Sequence, residues 1–361
     1  MVMQIRRTLF LTVRAAVLCC WFSLPSWAAT VEDIALLKSA NREKILIEGA
    51  KKEGKMSLYT GLIVDQVVRP VKDAFEKEYP FLQLEFFRAN AERLAQRMLA
   101  EYQAKRYEVD VISGSAAATI LQRAGLMQRF YSPPIAEYPP ELKDAKGFWG
   151  STNVYFMTLG YNTRAVKASE LPKTYEDLLN PRWKGQMMWS TSRGSGAPQF
   201  IGNILLTMGQ EQGKAYLRKL KAQSVAKSTA SARQILDLVI AGEYPMAIQI
   251  FNHHAYISKA AGAPVEWRPI DPVVANVGYS GIVARAPRPH AALLFIDYLH
   301  SKEGQQFIVK GGLSSPRDDV ESLLPQKFKK TYLEAKYSLD EYEKKLEEWE
   351  DLIQMLFIKK R

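Results

Sequence analysis

Cysteine is almost absent from this chain. The only two, Cys19 and Cys20, lie within its first 28 residues. Everything after them is free of disulfides and thiolate metal ligands, so stability has to come from core packing, which a chain of 361 residues can supply. A membrane span would need about 20 apolar residues, and Arg14 interrupts the one candidate run too early. There is no internal repeat, no H-E-x-x-H, no G-x-S-x-G elbow and no phosphate-binding P-loop, so zinc-protease, esterase and nucleotidase chemistry find no motif here. Gly278-Tyr279-Ser280-Gly281 is one residue short of an elbow. A secreted serine hydrolase using Ser195 or Ser280 would need a base that no motif supplies.

The first 28 residues have their own logic. Arg6, Arg7 and Arg14 form a basic region without acids, Ala15–Leu24 is a short apolar core, and small residues precede a cut after Ala28. That pattern predicts a cleavable signal peptide over 1–28 and a periplasmic mature protein. Removing three arginines and no acid lowers the net charge from +11 to +8. The remaining Lys and Arg are scattered in short runs, which argues against nucleic acid as a partner and leaves room for modest steering of an anion.

Along the mature chain, apolar runs of strand length alternate with helical spacings. Helices are expected over 33–54, 64–79 and 92–104, and strands over 55–59, 82–87 and 109–112. This β-α-β-α-β order predicts an open α/β sheet wrapped by helices. Further strands are expected at 154–161, 187–189, 246–251, 265–269 and 274–284. A capping box at Ser338-Leu339-Asp340-Glu341 opens a C-terminal helix with its apolar residues three or four apart.

Several turns share one design, in which a strand ends, small hydroxyl or glycine residues follow, and a helix begins. They are Thr60-Gly61, Ser113-Gly114-Ser115 and Ser192-Arg193-Gly194-Ser195-Gly196, while Ser228-Thr229-Ala230-Ser231 precedes a further helix. Backbone N–H groups at a helix start are unpaired and carry the positive end of the helix dipole, so such turns suit an anion. Arg193 could add a guanidinium fork. The same residues are also ordinary N-caps, and their recurrence in both halves of the chain is what points to a ligand held between two lobes.

Strand 246–251 breaks into Asn252, His253, His254 and Tyr256. Neighbouring histidines suggest a metal site. On a continuing strand, however, their side chains would face opposite ways, and no ligand-spaced cluster supplies partners. Neutral hydrogen-bonding imidazoles are the expectation, with His254 and Tyr256 the residual metal candidates and no cofactor implied.

The order of motifs resembles the periplasmic solute-binding proteins of ABC importers, in the group containing the ferric-iron-binding proteins. The likeness rests on Ser57–Gly61, Phe87-Arg88-Ala89, Tyr107–Ile112, Pro181-Arg182-Trp183-Lys184-Gly185, Ser228-Thr229-Ala230, Gly242-Glu243, Tyr279-Ser280-Gly281-Ile282 and Ala291–Gln305. It implies two α/β lobes of the type II binding-protein fold, hinge closure on a ligand and a membrane permease as partner. The lobes are expected at 29–157 plus 268–316, and at 158–267 plus 317–361 with the C-terminal helix, in a monomer. Where ferric-binding relatives carry their histidine, glutamate and tyrosine pair, this chain has Ile63, Ser115 and His254-Ala255. Ferric ion wants anionic oxygen, so a lone imidazole is a poor substitute. The expected ligand is therefore a small organic anion, phosphorylated, phosphonate or carboxylate. It would be held by Thr60, Gly61, Ser113, Gly114, Ser115, Ser192, Arg193, Gly194, Ser195, Ser228, Thr229, Asn252, His254 and Tyr279. Ferric or chelated iron is the alternative.

Overall fold

The computed structural model describes residues 30–325 and 327–358, so the expected signal peptide and both cysteines lie outside the described residues. Among those described, no helix is long and apolar enough to cross a membrane.

The first elements are α1 (Val31–Ile34) and α2 (Arg42–Glu53). One helix was expected over 33–54, but the Tyr131 N–H takes the Ala35 carbonyl at 2.8 Å and draws it out of a helical ladder. Then follow β1 (Lys55–Thr60), α3 (Arg69–Glu78), β2 (Gln83–Arg88), α4 (Ala91–Gln103), β3 (Val111–Ser113), α5 (Ser115–Arg123) and α6 (Pro133–Ala136). The middle of the chain gives β4 (Gly150–Asn162), β5 (Met187–Ser190), α7 (Ala197–Met208), α8 (Gln210–Ala222), β6 (Ala226–Ser228), α9 (Ala232–Ala241), β7 (Met246–Phe251) and α10 (Asn252–Ala260). The last part gives β8 (Val265–Arg268), β9 (Val273–Ile282), α11 (Pro289–His300), α12 (Lys302–Lys310), β10 (Lys330–Thr331) and α13 (Leu339–Ile353).

The main strands form one path, β2-β1-β3-β9-β4-β7-β5-β6. β1 pairs in parallel with β2 and β3 at one end, and β5 with β6 and β7 at the other. The two middle strands, β9 and β4, run antiparallel to their neighbours and to each other, and so join the halves. The inner strands of each parallel half, β3 at one end and β5 and β7 at the other, are buried almost throughout, while the edge strands β2 and β6 are partly exposed. The result is a two-lobed α/β protein whose lobes share crossing strands.

The apolar clusters mark where β4 changes lobe. Val154 and Phe156 belong to the core with β1, β3 and α11, while Met157, Leu159 and Tyr161 belong to the core with β5, α7 and α13. Near the C-terminus the chain crosses later than the expected break at 316. Leu324 joins the first core, β10 pairs with β9, and only from Leu333 does the chain join the second. α13 then lies on α7, with Tyr342, Leu346, Trp349 and Ile353 buried along one face. A Cβ on Gly202 would stand 2.5 Å from the Trp349 ring, so only glycine lets the two helices approach this closely.

Candidate functional site

The strand ends of the first lobe gather its expected residues. Thr60 is opposite Ser113 in the β1–β3 register, and Ser113 is opposite Ser280 in β9. Thr60 is buried, its hydroxyl accepting from Leu62 N at 3.0 Å. Gly61 N donates to Ser113 O (2.9 Å) and Gly114 N to Tyr279 O (2.8 Å). Ser115 opens α5, its hydroxyl donating to Val277 O at 2.5 Å. Thr60, Ser113 and Ser115 thus tie strands and helix start together, leaving the N–H groups of the first turn of α5 at the strand ends.

The second lobe does the same with a chain of hydroxyls. Ser190 donates to Ala230 O (2.6 Å), lies 3.1 Å from Ser192, and Ser192 lies 2.7 Å from Ser195. Ser228 is in register with Ser190 across β5–β6, and its hydroxyl accepts from Ala230 N at 3.0 Å. Thr229 is exposed beside it. Gln249 of β7 donates to Ser195 O, and its own side-chain oxygen has no partner. The turn ends at Gly196, φ +79°, where a Cβ would fall 2.1 Å from Met157.

Asn252 and His254 occupy a different geometry from the one expected. The chain does not continue as a strand past Phe251 but turns directly into α10. Asn252 makes the turn: it is fully buried, and its Oδ1 accepts from Phe156 N of the crossing strand at 2.8 Å. Asn252 therefore holds the helix start against β4. The two histidines then sit side by side in the first turn, ring centroids 4.3 Å apart, so the opposite-face argument against a shared role does not hold. Burial, then the Arg233 charge, pushes His254 down to about 4. Burial, then repulsion from His254 and Arg233, holds His253 well below its ordinary range. Both rings are neutral near pH 7, and both buried Nδ1 atoms lack a partner.

Two residues the sequence reading passed over join these groups. Tyr155 of β4 is half-buried against the first core and packs its ring 5.7 Å from that of His253 in the second lobe. Arg233, in the first turn of α9, donates to His254 O (3.3 Å) and Ser258 Oγ (2.6 Å) and pairs with Asp237. Nothing in spacing marks Tyr155 among strand residues. Arg233 follows the Ser228-Thr229 turn by four residues and was legible as a helix-start cation.

Arg193 and Gly194 do not join the hydroxyl chain. Both are exposed, and the Arg193 guanidinium pairs with Glu343 and Glu350 of α13, so two carboxylates already occupy the fork expected to grip an anion. Tyr279 is committed too. Its ring stacks on Trp149 at 3.9 Å and its hydroxyl donates to Glu334. Tyr256 lies against Gly312, where an added Cβ would meet its ring at 2.6 Å.

Ser280 does have a base at hand: its hydroxyl is 2.7 Å from His300 Nε2, and Tyr138 lies 3.1 Å from the other ring nitrogen. Ser280 and His300 are fully buried, and burial drives His300 down to about 3. This is a sealed core network without a path for a substrate. Among the described residues no three His, Cys, Asp or Glu side chains gather closely enough to hold a metal ion. An open depression of about 400 Å³ lies on the first lobe near Lys55, Arg97 and Arg288. Those cations are already paired with Glu85, Glu101 and Asp110.

Comparison with known proteins agrees with this architecture. Residues 108–338 match the family described as bacterial extracellular solute-binding protein, and α13 follows that segment. The Fe(3+)-binding periplasmic protein of Serratia marcescens is 22% identical over 224 residues, 60% of this chain and 65% of the relative, just under two thirds of its length. Iron-bound HitA from Pseudomonas aeruginosa superposes with a TM-score of 0.68 at 22% identity, covering 82% of this chain and 99% of that one. AfuA from Actinobacillus pleuropneumoniae, solved with exogenous fructose-6-phosphate bound, gives 0.67 at 22% identity, covering 84% and 99%.

Proposed function

The chain belongs to the bacterial extracellular solute-binding proteins, and on that footing we propose that it is a periplasmic receptor that captures a small organic anion between its lobes. It would pass the solute, a phosphate ester, phosphonate or carboxylate, to the permease of an ABC importer. The observation that carries this reading is the junction of α9 and α10. Arg233, whose terminal nitrogens bond His254 O, Ser258 Oγ and Asp237, stands beside two neutral imidazoles with buried, unpaired Nδ1 atoms at a helix start. A neutral imidazole can offer an N–H to a phosphate oxygen, the α10 dipole favours negative charge, and Arg233 adds a formal positive charge. Across the cleft the α5 start offers further donors, and on the same lobe as the junction lie the Ser192–Ser195 hydroxyls. AfuA, with its sugar phosphate, is a solved example of this fold holding such a solute.

Ferric iron, alone or chelated, is the second reading, favoured by the names of relatives such as the Serratia protein. Against it, the resemblance puts Ile63 and Ser115 where iron-binding relatives have donors, and the Ser115 hydroxyl is bonded to Val277 O. Thermal-shift screening against sugar phosphates, phosphonates, carboxylates and ferric citrate separates the two. Stabilisation by phosphorylated solutes supports the proposal. Stabilisation by ferric salts alone, with a visible tyrosine-to-iron absorption band, would replace it with the iron reading.

A further inference from the structure

α13 is anchored in the second lobe. Trp349 lies over Gly202 of α7, and just beyond the helix Phe357 packs on Trp189 at 5.2 Å between ring centroids. Arg193 of the same lobe clamps the exposed face through Glu343 and Glu350. Yet the start of this helix and the turn before it are also held by the first lobe. Arg123, at the end of α5, donates to Leu339 O at 2.8 Å and pairs with Asp340 at 3.2 Å. Tyr279 of β9, in the first core, donates to Glu334. The C-terminal segment therefore makes polar contacts with one lobe while its apolar face belongs to the other.

The lobes are joined by β4, β9 and the chain through β10, crossing segments of the kind at which two-lobed proteins hinge. A second set of contacts away from those segments restrains the motion, because opening must break them. We propose that the segment Glu334–Glu350 is a strap across the two lobes, with Arg123 and Tyr279 as its fasteners on the first lobe, and that it limits how far the ligand-free protein opens. The strap depends on no particular solute, so it stands or falls apart from the anion reading.

The fasteners suit a clean test. Arg123 and Asp340 are partly and largely exposed, and Tyr279→Phe keeps the stack on Trp149 while removing only the hydroxyl. In a background with Cys19 and Cys20 replaced by serine, spin labels at Lys77→Cys on the first lobe and Lys219→Cys on the second report the interlobe distance by pulsed electron resonance. The parent should give one narrow distribution without added solute. Arg123→Ala with Tyr279→Phe should broaden it and add a longer population, and the charge swap Arg123→Asp with Asp340→Arg should restore much of the narrow peak. A distribution unchanged in the double variant would overturn the strap, as would a swap behaving no better than Arg123→Asp alone. Should the double variant fail to fold, Arg123→Ala alone carries the same test, since it removes both the Leu339 and the Asp340 contact from an exposed position.

Discussion

Arg193 donates to Glu343, and its other terminal nitrogen lies 3.3 Å from Glu350. A guanidinium matched to two carboxylates has little left for a solute, which reassigns the arginine that the sequence offered as an anion fork. Exposed pairs of this kind contribute about 0–1 kcal/mol each. Arg193→Ala should therefore lower stability by about 1 kcal/mol and leave solute affinity within a few fold, read by denaturant titration and calorimetry. A loss of affinity of a hundredfold or more would return Arg193 to the site.

Arg233 has the opposite expectation. Removing a charged donor from a ligand costs about 1.5–3 kcal/mol, so Arg233→Ala should weaken binding of an anionic solute by roughly tenfold or more. The His254 and His253 pKa values should also rise once the neighbouring charge is gone, which nitrogen-edited NMR of the ring resonances can follow. Unchanged affinity would remove the α9–α10 junction from the binding surface.

Glu334 sets a pH dependence. Burial, above all, raises its carboxyl from 4.5 to about 7, with Glu343 adding repulsion and the Tyr279 hydrogen bond opposing the rise. Tyr342 also faces it. A folded-state pKa above the unfolded value means the native chain holds the proton more tightly. Its contribution to stability is complete below about 4.5 and is lost as pH rises through about 7. Glu334→Gln resembles the protonated acid. It should nearly match the parent at pH 5 and become about 1–3 kcal/mol more stable than the parent at pH 8. A stability difference that stays constant across this range would contradict the assignment.

The contact between α7 and α13 predicts a steric penalty. Gly202→Ala puts a methyl where the Trp349 ring already lies, and overpacking of this kind typically costs about 1–3 kcal/mol. Thermal unfolding should drop accordingly. A neutral result would mean that α13 shifts freely on α7.

Much of the fold was legible because strand and helix periods are local properties. β7 falls where its apolar spacing placed it, α4 within a residue of its expected range, and the Ser338 box does cap α13. Local pattern failed where a distant group decided the outcome. Tyr131 breaks the first helix by taking the Ala35 carbonyl, and Asn252 turns the chain into α10 by bonding Phe156 from another strand. The site followed the same division. Hydroxyl turns at strand ends could be found by composition, and Thr60 with Ser113, and Ser192 with Ser195, are indeed neighbours. That Arg193 is already paired depends on α13, more than 140 residues away along the chain, and no pattern near Arg193 carries that information.

The central claim is that the cleft takes an organic anion through neutral donors and Arg233. Native mass spectrometry of the protein isolated from periplasm, before any solute is added, tests it most directly. The account expects an adduct with the mass of a small phosphorylated, phosphonate or carboxylate compound that is lost in Arg233→Ala. An adduct of ferric iron retained by that variant would contradict it.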